Sequence, residues 1–491
     1  MAFQDGLRGW MKALESEGEL KEITAEVDWN LEMSGIMWRA CEEHGPALLF
    51  TNIKDHRHTL CTKFISGALH TYRHVALMMG LPKETPPKEL ILEYRRRTEK
   101  LLPPEIVEYG PVKENIIRRE AVDLWQFPAP FWHALDGGRY LNTYCGTVTQ
   151  DPDNGWINVG LYRGMVHDDG KSIGVLLSMG SHWGQMCQKY HERGQAMPVA
   201  VVYGWEPVMP LVAAALFPRN VGEYDVMGAV RQKPVELVKC ETNDLLVPAT
   251  AEIVIEGTVS LDPATFRMEG PFGEYPCYYG GTPAPKPVLQ VDCITHRTDP
   301  ILQGSLEGAP YDDGAVAQSI TKSAYMWNNL DRNIPGVVDV WCPAITHGTD
   351  CYVAIKKTYQ GQAKQVAACI WGSTGAIYSA KIVMVVDDDI DIRNLEDIQW
   401  ALNYRVWDPD EDFSFFRGCP GSMLDPSVPP ELKDATKFGA VGRWHRLCID
   451  ATKDWRLTRI EHWGDRFPPR TLPTRQITEL VNRRWKEYGL G

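Results

Sequence analysis

Met268-Glu269-Gly270-Pro271-Phe272-Gly273-Glu274-Tyr275 sets two carboxylates five residues apart and fills the interval with residues that resist regular structure. Pro271 lacks a donor N–H, and Gly270 and Gly273 reach backbone angles closed to other residues. The stretch therefore reads as a fixed turn, neither helix nor central strand, that aims Glu269 and Glu274 toward one place. Two neighbouring carboxylates raise the pKa of at least one of them, which suits a proton donor near neutral pH. A surface loop with two solvated glutamates satisfies the same eight residues, and alone they do not choose between the two.

The turn hangs on a region of strand candidates in quick succession, at 141–149, 156–162, 173–178, 199–203, 235–240, 251–259 and 287–296. Helical spacing interrupts them only at 183–194 and 208–217. Many short strands with turn signals predict a barrel-like sheet, not a doubly wound parallel one. The flanking regions read differently. Upstream, Phe3, Leu7, Trp10, Met11 and Leu14 share one helical face over 3–17. A strand at 20–23, a helix at 31–43, a buried strand at 47–53 and helices at 69–79 and 87–101 follow, closing in the linker-like Leu102-Pro103-Pro104. Downstream, helix and strand alternate again: a helix at 316–330, strands at 337–341 and 352–355, a helix at 360–371, a strand at 381–386 and a helix at 395–404. A tail over 413–473 is rich in Pro, Gly and Trp, and a last helix covers 477–488. The expected organisation is α/β (α+β), with segments at 1–104, 105–312, 313–450 and 451–491.

A chain of 491 residues supports two or three domains with substantial cores. Its formal charge of −13 argues against a nucleic-acid groove or an anionic membrane as partner, though not against a small anion gripped by a local arginine. No apolar run approaches the ~20 residues that cross a bilayer. The opening Met1-Ala2-Phe3-Gln4-Asp5-Gly6-Leu7 has an early acid and no long apolar core, unlike a signal peptide. The 12 cysteines are scattered without a Cys-x-x-Cys, as reduced, mostly buried thiols of a cytoplasmic protein would be. Neither a Gly-x-Gly-x-x-Gly nor a Walker loop is present.

Other residues carry candidate chemistry. Arg163 ends the run Asn158-Val159-Gly160-Leu161-Tyr162-Arg163, where a guanidinium can grip a carboxylate through two parallel hydrogen bonds; a surface arginine fits as well. His182 stands at the start of a helix, as a cap or as a ligand. Glu223 opens a strand or turn in Val221-Gly222-Glu223-Tyr224-Asp225. Asn158, His182 and Glu223 together would suit a hard cation such as Mn²⁺ or Mg²⁺ better than structural zinc. Asp387-Asp388-Asp389-Ile390-Asp391 follows a strand and reads as its solvated end or as a metal cluster, and Lys381 at that strand's start faces an anion or water.

The chain resembles the UbiD family of reversible decarboxylases, which use prenylated FMN. The resemblance rests on the 158–163 run, on Glu223-Tyr224-Asp225-Val226-Met227-Gly228-Ala229, on Val238-Lys239-Cys240-Glu241-Thr242-Asn243-Asp244-Leu245, on Ala251-Glu252-Ile253-Val254-Ile255-Glu256-Gly257, and most strongly on Glu269–Glu274. It implies an N-terminal α/β segment, a central split β-barrel that binds the flavin, and a C-terminal α/β domain used in homo-oligomerisation, as dimer or higher. It implies an Arg-Glu-Glu network of Arg163, Glu269 and Glu274, with Glu274 the proton donor. Mn²⁺ would join the cofactor phosphate to Asn158, His182 and Glu223, with K⁺ near backbone groups around Trp156 and 213–217. Leu161, Tyr162 and Arg163 would contact the flavin, and Lys381 would touch the cofactor. The family carries Arg-Gly or His-Arg-Gly where this chain has Ser181-His182-Trp183-Gly184, so the His182 assignment departs from the pattern.

The implied reaction is non-oxidative decarboxylation, or its reverse, of an aromatic, heteroaromatic or α,β-unsaturated acid. Losing CO₂ from an sp² carbon leaves a carbanion that no side chain here can absorb, so an external electron sink is required. A flavin prenyltransferase would supply the cofactor. Tyr275, Pro276 and Cys277, with 315–320 and 415–424, would complete the substrate pocket; small residues such as Ala315 and Gly418 leave room for a planar ring. The rival readings are an FMN oxidoreductase on a split barrel and a non-catalytic metal-dependent assembly protein.

Overall fold

The computed structural model describes residues 3, 5–215, 217–308, 312–433 and 442–490. The N-terminal segment opens with the helix Leu7–Ser16, whose Leu7, Trp10 and Leu14 are buried at helical spacing. Its sheet runs Leu20–Ile23, Ala47–Phe50, Lys63–Ser66 and Ile301–Gln303. The last strand lies parallel to Lys63–Ser66 although more than two hundred residues separate them in sequence. Helices Glu32–Glu42, Tyr72–Met78 and Pro87–Thr98 complete the segment.

The middle sheet has nine strands, with antiparallel pairing throughout. Its order is Tyr140–Asn142, Gly164–Val166, Ser172–Val175, Val288–His296, Ile253–Val259, Met197–Tyr203, Gly146–Gln150, Ile157–Gly160, with Asn115–Arg118 on the flank of Val288–His296. One edge strand ends at Asn142 and a strand near the other edge begins at Gly146. Four peptide steps span about 14 Å at most, so the sheet must curl until its edges nearly meet. Tyr203 Oη donates to Asn142 Oδ1 across that curl. The result is half a barrel, the architecture that the run of short strands predicts.

The C-terminal part is built on the 21-residue helix Asp313–Asn333, which Asp312 caps by accepting from the Ala315 N–H at 2.6 Å. Its sheet runs Val337–Trp341, Asp350–Ile355, Ile382–Asp387, Gly442–Ala451, Phe413–Gly421. The last two strands fall where the sequence reads as an irregular tail; pairing along Ile382–Asp387 draws Gly442–Ala451 into the sheet. The final helix, Arg475–Arg484, buries no residue of its own. All 12 cysteines are free, and most are buried. The triple aspartate is no metal cluster: Arg405 pairs with Asp387 at 3.0 Å and with Asp389 at 2.6 Å.

Candidate active site

The Glu269–Glu274 turn is fixed from several sides. Gly270 takes φ 86°, a left-handed conformation that favours glycine. Gly273 N–H donates to Asp136 Oδ1 at 2.9 Å, Gly137 N–H to Pro271 O at 2.8 Å and Gly280 N–H to Phe272 O at 2.8 Å. Its two carboxylates converge on Arg163, which leaves the strand Ile157–Gly160 a few residues upstream. Nε and Nη2 of Arg163 donate to the two oxygens of Glu269, each at 3.0 Å, a bidentate fork. Nη1 donates to Glu274 Oε1. Tyr140 Oη donates to Glu269 Oε1 at 2.8 Å. A methyl group on Gly280 would stand 2.7 Å from Glu274 Cγ and 3.2 Å from Arg163 Nη1, so this close approach also needs glycine.

Burial works against the charge of Arg163, but Glu274 and Glu269 outweigh it and raise its pKa. Burial likewise lifts the pKa of Glu274 above the usual carboxylate range, against the pull of Arg163. Burial and the neighbouring Glu269 keep Tyr140 protonated, in the form that donates.

Arg163 and Glu274 line a cavity of about 310 Å³ that also takes in Asn158, Leu161, Tyr162, His182 and Glu223. At that far end His182 starts the helix His182–Glu192, and its Nδ1 lies 3.2 Å from Asn158 Oδ1. Burial, with Arg219 nearby, lowers the His182 pKa and keeps the ring neutral, the form that binds metals. Glu223 does not open a strand or turn. It is the first residue of the helix Glu223–Arg231, whose buried Tyr224, Val226, Met227 and Val230 have helical spacing. Its Oε2 accepts from the Val159 N–H at 3.0 Å, and burial pushes its pKa up to about 8. Tyr162 stacks on Trp183 at 4.1 Å with an interplanar angle of 5°, which flattens one wall of the cavity.

Not every candidate reaches this cavity. Lys381 is absent from its walls: the ammonium is held by Asp425 at 2.7 Å and Ser427 at 2.9 Å, so the anion it faces belongs to the chain itself. The Trp156 carbonyl accepts from the Asp151 N–H, whereas Ala213, Ala214, Ala215 and Phe217 do line the cavity. Leu216 lies outside the described residues. Within 315–320 Gln318 faces the cavity while Ala315 is packed in the core; Phe415 and Phe416 are exposed. The sequence reading passed over Glu307, Thr374, Ile377 and Tyr378, which line the cavity from distant segments. Of these only Glu307, an acid beside Gly308 and Pro310, carries a local cue resembling that of the central turn.

Three family models match in order along the chain: the 3-octaprenyl-4-hydroxybenzoate carboxy-lyase N-terminal domain over residues 11–93, its Rift-related domain over 105–310, and its C-terminal domain over 315–451. The chain belongs to the UbiD family. Within it, the chain is 32% identical over 458 residues to a phenolic acid decarboxylase of Sedimentibacter hydroxybenzoicus, covering 91% of each chain. It is 30% identical over 505 residues to the pyrrole-2-carboxylic acid decarboxylase of Pseudomonas aeruginosa, covering 99% and 98%. The UbiD-class enzyme HmfF from Pelotomaculum thermopropionicum, solved with FMN, superposes with a TM-score of 0.82 at 29% identity, covering 97% of this chain and 99% of that one. An evolved dimeric form of HmfF was solved with prFMN; it superposes with a TM-score of 0.77 at 29% identity, covering 93% and 97%.

Proposed function

We propose that this UbiD-family member is a reversible carboxy-lyase acting on an aromatic, heteroaromatic or α,β-unsaturated carboxylic acid, with prenylated FMN in the cavity described above. The carrying observation is the junction of Arg163 with Glu269 and Glu274 at the cavity wall. Bound prenylated FMN supplies the electron sink that departure of CO₂ from an sp² carbon requires.

The residues at the far end fit the cofactor's cation. Glu223 is buried without a lysine or arginine partner among the described residues, and Asn158 Nδ2 is buried without a hydrogen bond. A carboxylate, an amide and a neutral imidazole form an O/N donor set of the kind Mn²⁺ or Mg²⁺ accepts. Asn158, His182 and Glu223 would hold that ion, and backbone groups of 213–217 a K⁺ beside it.

At the reacting end Arg163 has five N–H donors and gives three to Glu269 and Glu274. Two remain for the substrate carboxylate. Glu269, itself held by Tyr140, keeps the guanidinium from turning. Glu274 holds the proton that replaces CO₂ on the substrate carbon, and in the reverse direction removes it. The apolar body of Phe272, packed at 4.2 Å against the Tyr140 ring, helps exclude water from this corner. A small acid and CO₂ are thus the reaction partners, and a flavin prenyltransferase supplies the cofactor. The exposed Ile477, Leu480 and Trp485 of the last helix and turn suit burial against a second copy in a homodimer or higher assembly.

Glu274→Gln tests the assignment. The variant should still bind the cofactor, and lose turnover and substrate H/D exchange by at least about a hundredfold. Full activity in that variant removes Glu274 from the reaction. The wild-type rate of decarboxylation should also fall on the alkaline side, because Glu274 donates only when neutral and burial places its pKa above the ordinary value. The same sign governs stability: a carboxyl whose folded pKa is raised contributes below its unfolded pKa, and that contribution is lost as pH rises through the folded one.

A further inference from the structure

A third carboxyl, Glu307, stands in the cavity wall beside Arg163 and Glu274 and has no part in the scheme above. Among the described residues no side chain makes a hydrogen bond or ion pair to its carboxyl group. Its backbone, by contrast, is anchored: Glu307 O accepts from His133 Nε2 at 2.9 Å, and the His133 ring lies edge-on to Phe272 of the central turn at 5.7 Å. The segment bearing Glu307 is therefore fastened to the turn bearing Glu274, and the two acids are presented to one space.

Behind Glu307 the wall is acidic. Asp312 accepts from the Gly308 and Ala315 N–H groups, and Asp313 from those of Gly67 and Leu69. Among the described residues neither lysine nor arginine pairs with Glu307, Asp312 or Asp313. The imidazoles on this side are neutral: His347, 3.8 Å from Asp312, has its pKa pushed down to about 3 by burial and by Lys322, and burial lowers that of His70, which faces Asp313. Burial among Asp312, Glu274 and Asp313 raises the pKa of Glu307 well above the usual carboxylate range. In either protonation state the group keeps an acceptor oxygen facing the cavity.

We infer that Glu307 is a specificity-determining residue that accepts a hydrogen bond from a hydroxyl or ring N–H on the substrate and, with the acids behind it, excludes a second anionic substituent. The inference rests on the decarboxylase reading and narrows it to aromatic monoacids that carry a hydrogen-bond donor. An acceptor left unpaired in a closed site is costly, so a ring that supplies the donor gains what an unsubstituted ring cannot. A dicarboxylate would bury its second charge where, among the described residues, no lysine or arginine but the already shared Arg163 guanidinium lines the cavity to pair with it.

The test is equilibrium binding by calorimetry to the full chain loaded with plain FMN, so that no turnover intrudes. The probes are benzoate, the three monohydroxybenzoates and benzene-1,4-dicarboxylate. Wild type should bind one hydroxybenzoate isomer about tenfold tighter than benzoate and should not bind the dicarboxylate. Glu307→Leu should bring that isomer to the affinity of benzoate while benzoate itself is unchanged, which also shows that the variant folds. Glu307→Gln, which keeps an acceptor oxygen, should retain the preference. A preference that survives in Glu307→Leu, or a wild type that does not distinguish the isomers from benzoate, overturns the inference. A wild type that binds none of the benzoates also overturns the inference, whereas failure of the decarboxylase reading appears separately, as a wild type loaded with prenylated FMN that releases CO₂ from no aromatic, heteroaromatic or α,β-unsaturated acid.

Discussion

The two ends of the cavity are built on opposite principles. At Arg163 the guanidinium and two of the acids around it answer one another: Glu269 receives a bidentate fork and the Tyr140 hydroxyl, and Glu274 receives the remaining Nη. Around Glu223 the chain brings an acid, an amide and a neutral imidazole together, pairs the acid with no lysine or arginine among the described residues, and leaves Asn158 Nδ2 unpaired. Buried polar groups are normally satisfied, and isolated buried charges are strongly disfavoured. The first end is therefore preorganised by the fold, while the second has the unpaired polar groups that the proposed Mn²⁺ or Mg²⁺ would complete. A site that reacts needs its geometry set before substrate arrives, and a site that holds a cofactor gains by being unsatisfied until it does.

The contrast breaks most sharply if Arg163 is removed. Arg163→Met leaves two buried carboxylates facing each other without a countercharge. Breaking a buried pair on one side costs about 3–5 kcal/mol, which denaturant unfolding would register. Decarboxylation should be lost with it, since among the described residues no other lysine or arginine lines the cavity. A variant as stable as wild type would mean that the network is not what holds this end together. At the other end the dependence should reverse. Glu223→Gln keeps the acceptor for the Val159 N–H, so the metal-free protein should melt close to wild type. What it should lose is the response to ligand: Mn²⁺ with FMN at a hundredfold excess over Kd stabilises a binding-competent fold by about 2.7 kcal/mol, and the variant should show little of that. An equal thermal shift in both proteins would place the ion elsewhere.

How far the sequence anticipates this arrangement follows from how local each cause is. The Glu269–Glu274 turn is legible because Gly270, Pro271 and Gly273 restrict their own backbone whatever surrounds them. Longer runs rich in β-branched and apolar residues, such as Val288–His296 and Ile253–Val259, are also legible locally. Lys63–Ser66 and Ile301–Gln303 do not, because each is a few residues long and becomes a strand only by pairing with a distant partner. Gly442–Ala451 was hidden by its Pro-, Gly- and Trp-rich surroundings, though it occupies the interior of its sheet. The helix opened by Glu223 looks like a strand or turn in sequence because its acid-rich first turn resembles a loop. Lys381 illustrates the remaining difficulty: its partner Asp425 is 44 residues away, and nothing near Lys381 announces it. For the candidate site, Arg163, Glu269 and Glu274 were each visible as residues with a fixed backbone. Their convergence was visible only through the family resemblance, since no local rule relates position 163 to position 269.

The finest distinction between the two ends concerns the hydroxyl of Tyr140. Tyr140 does not itself line the cavity, and among the described residues its hydroxyl donates to Glu269 at 2.8 Å, with the Pro271 carbonyl at 3.3 Å. If the Arg163 end is held by the whole network, and not by the Arg163–Glu269 fork alone, Tyr140→Phe should matter there. Losing one hydrogen bond to a charged group costs about 1.5–3 kcal/mol at most when the acceptor stays buried, and less where the fork still satisfies Glu269; about 1 kcal/mol is expected. Because the loss loosens the guanidinium more than it removes a substrate contact, KM for the acid should rise several-fold while the cofactor spectrum and the Mn²⁺-dependent thermal shift stay as in wild type. A change in the metal response instead would show that the two ends are not independent, and that the Tyr140 hydroxyl reaches across the cavity through the sheet that carries both.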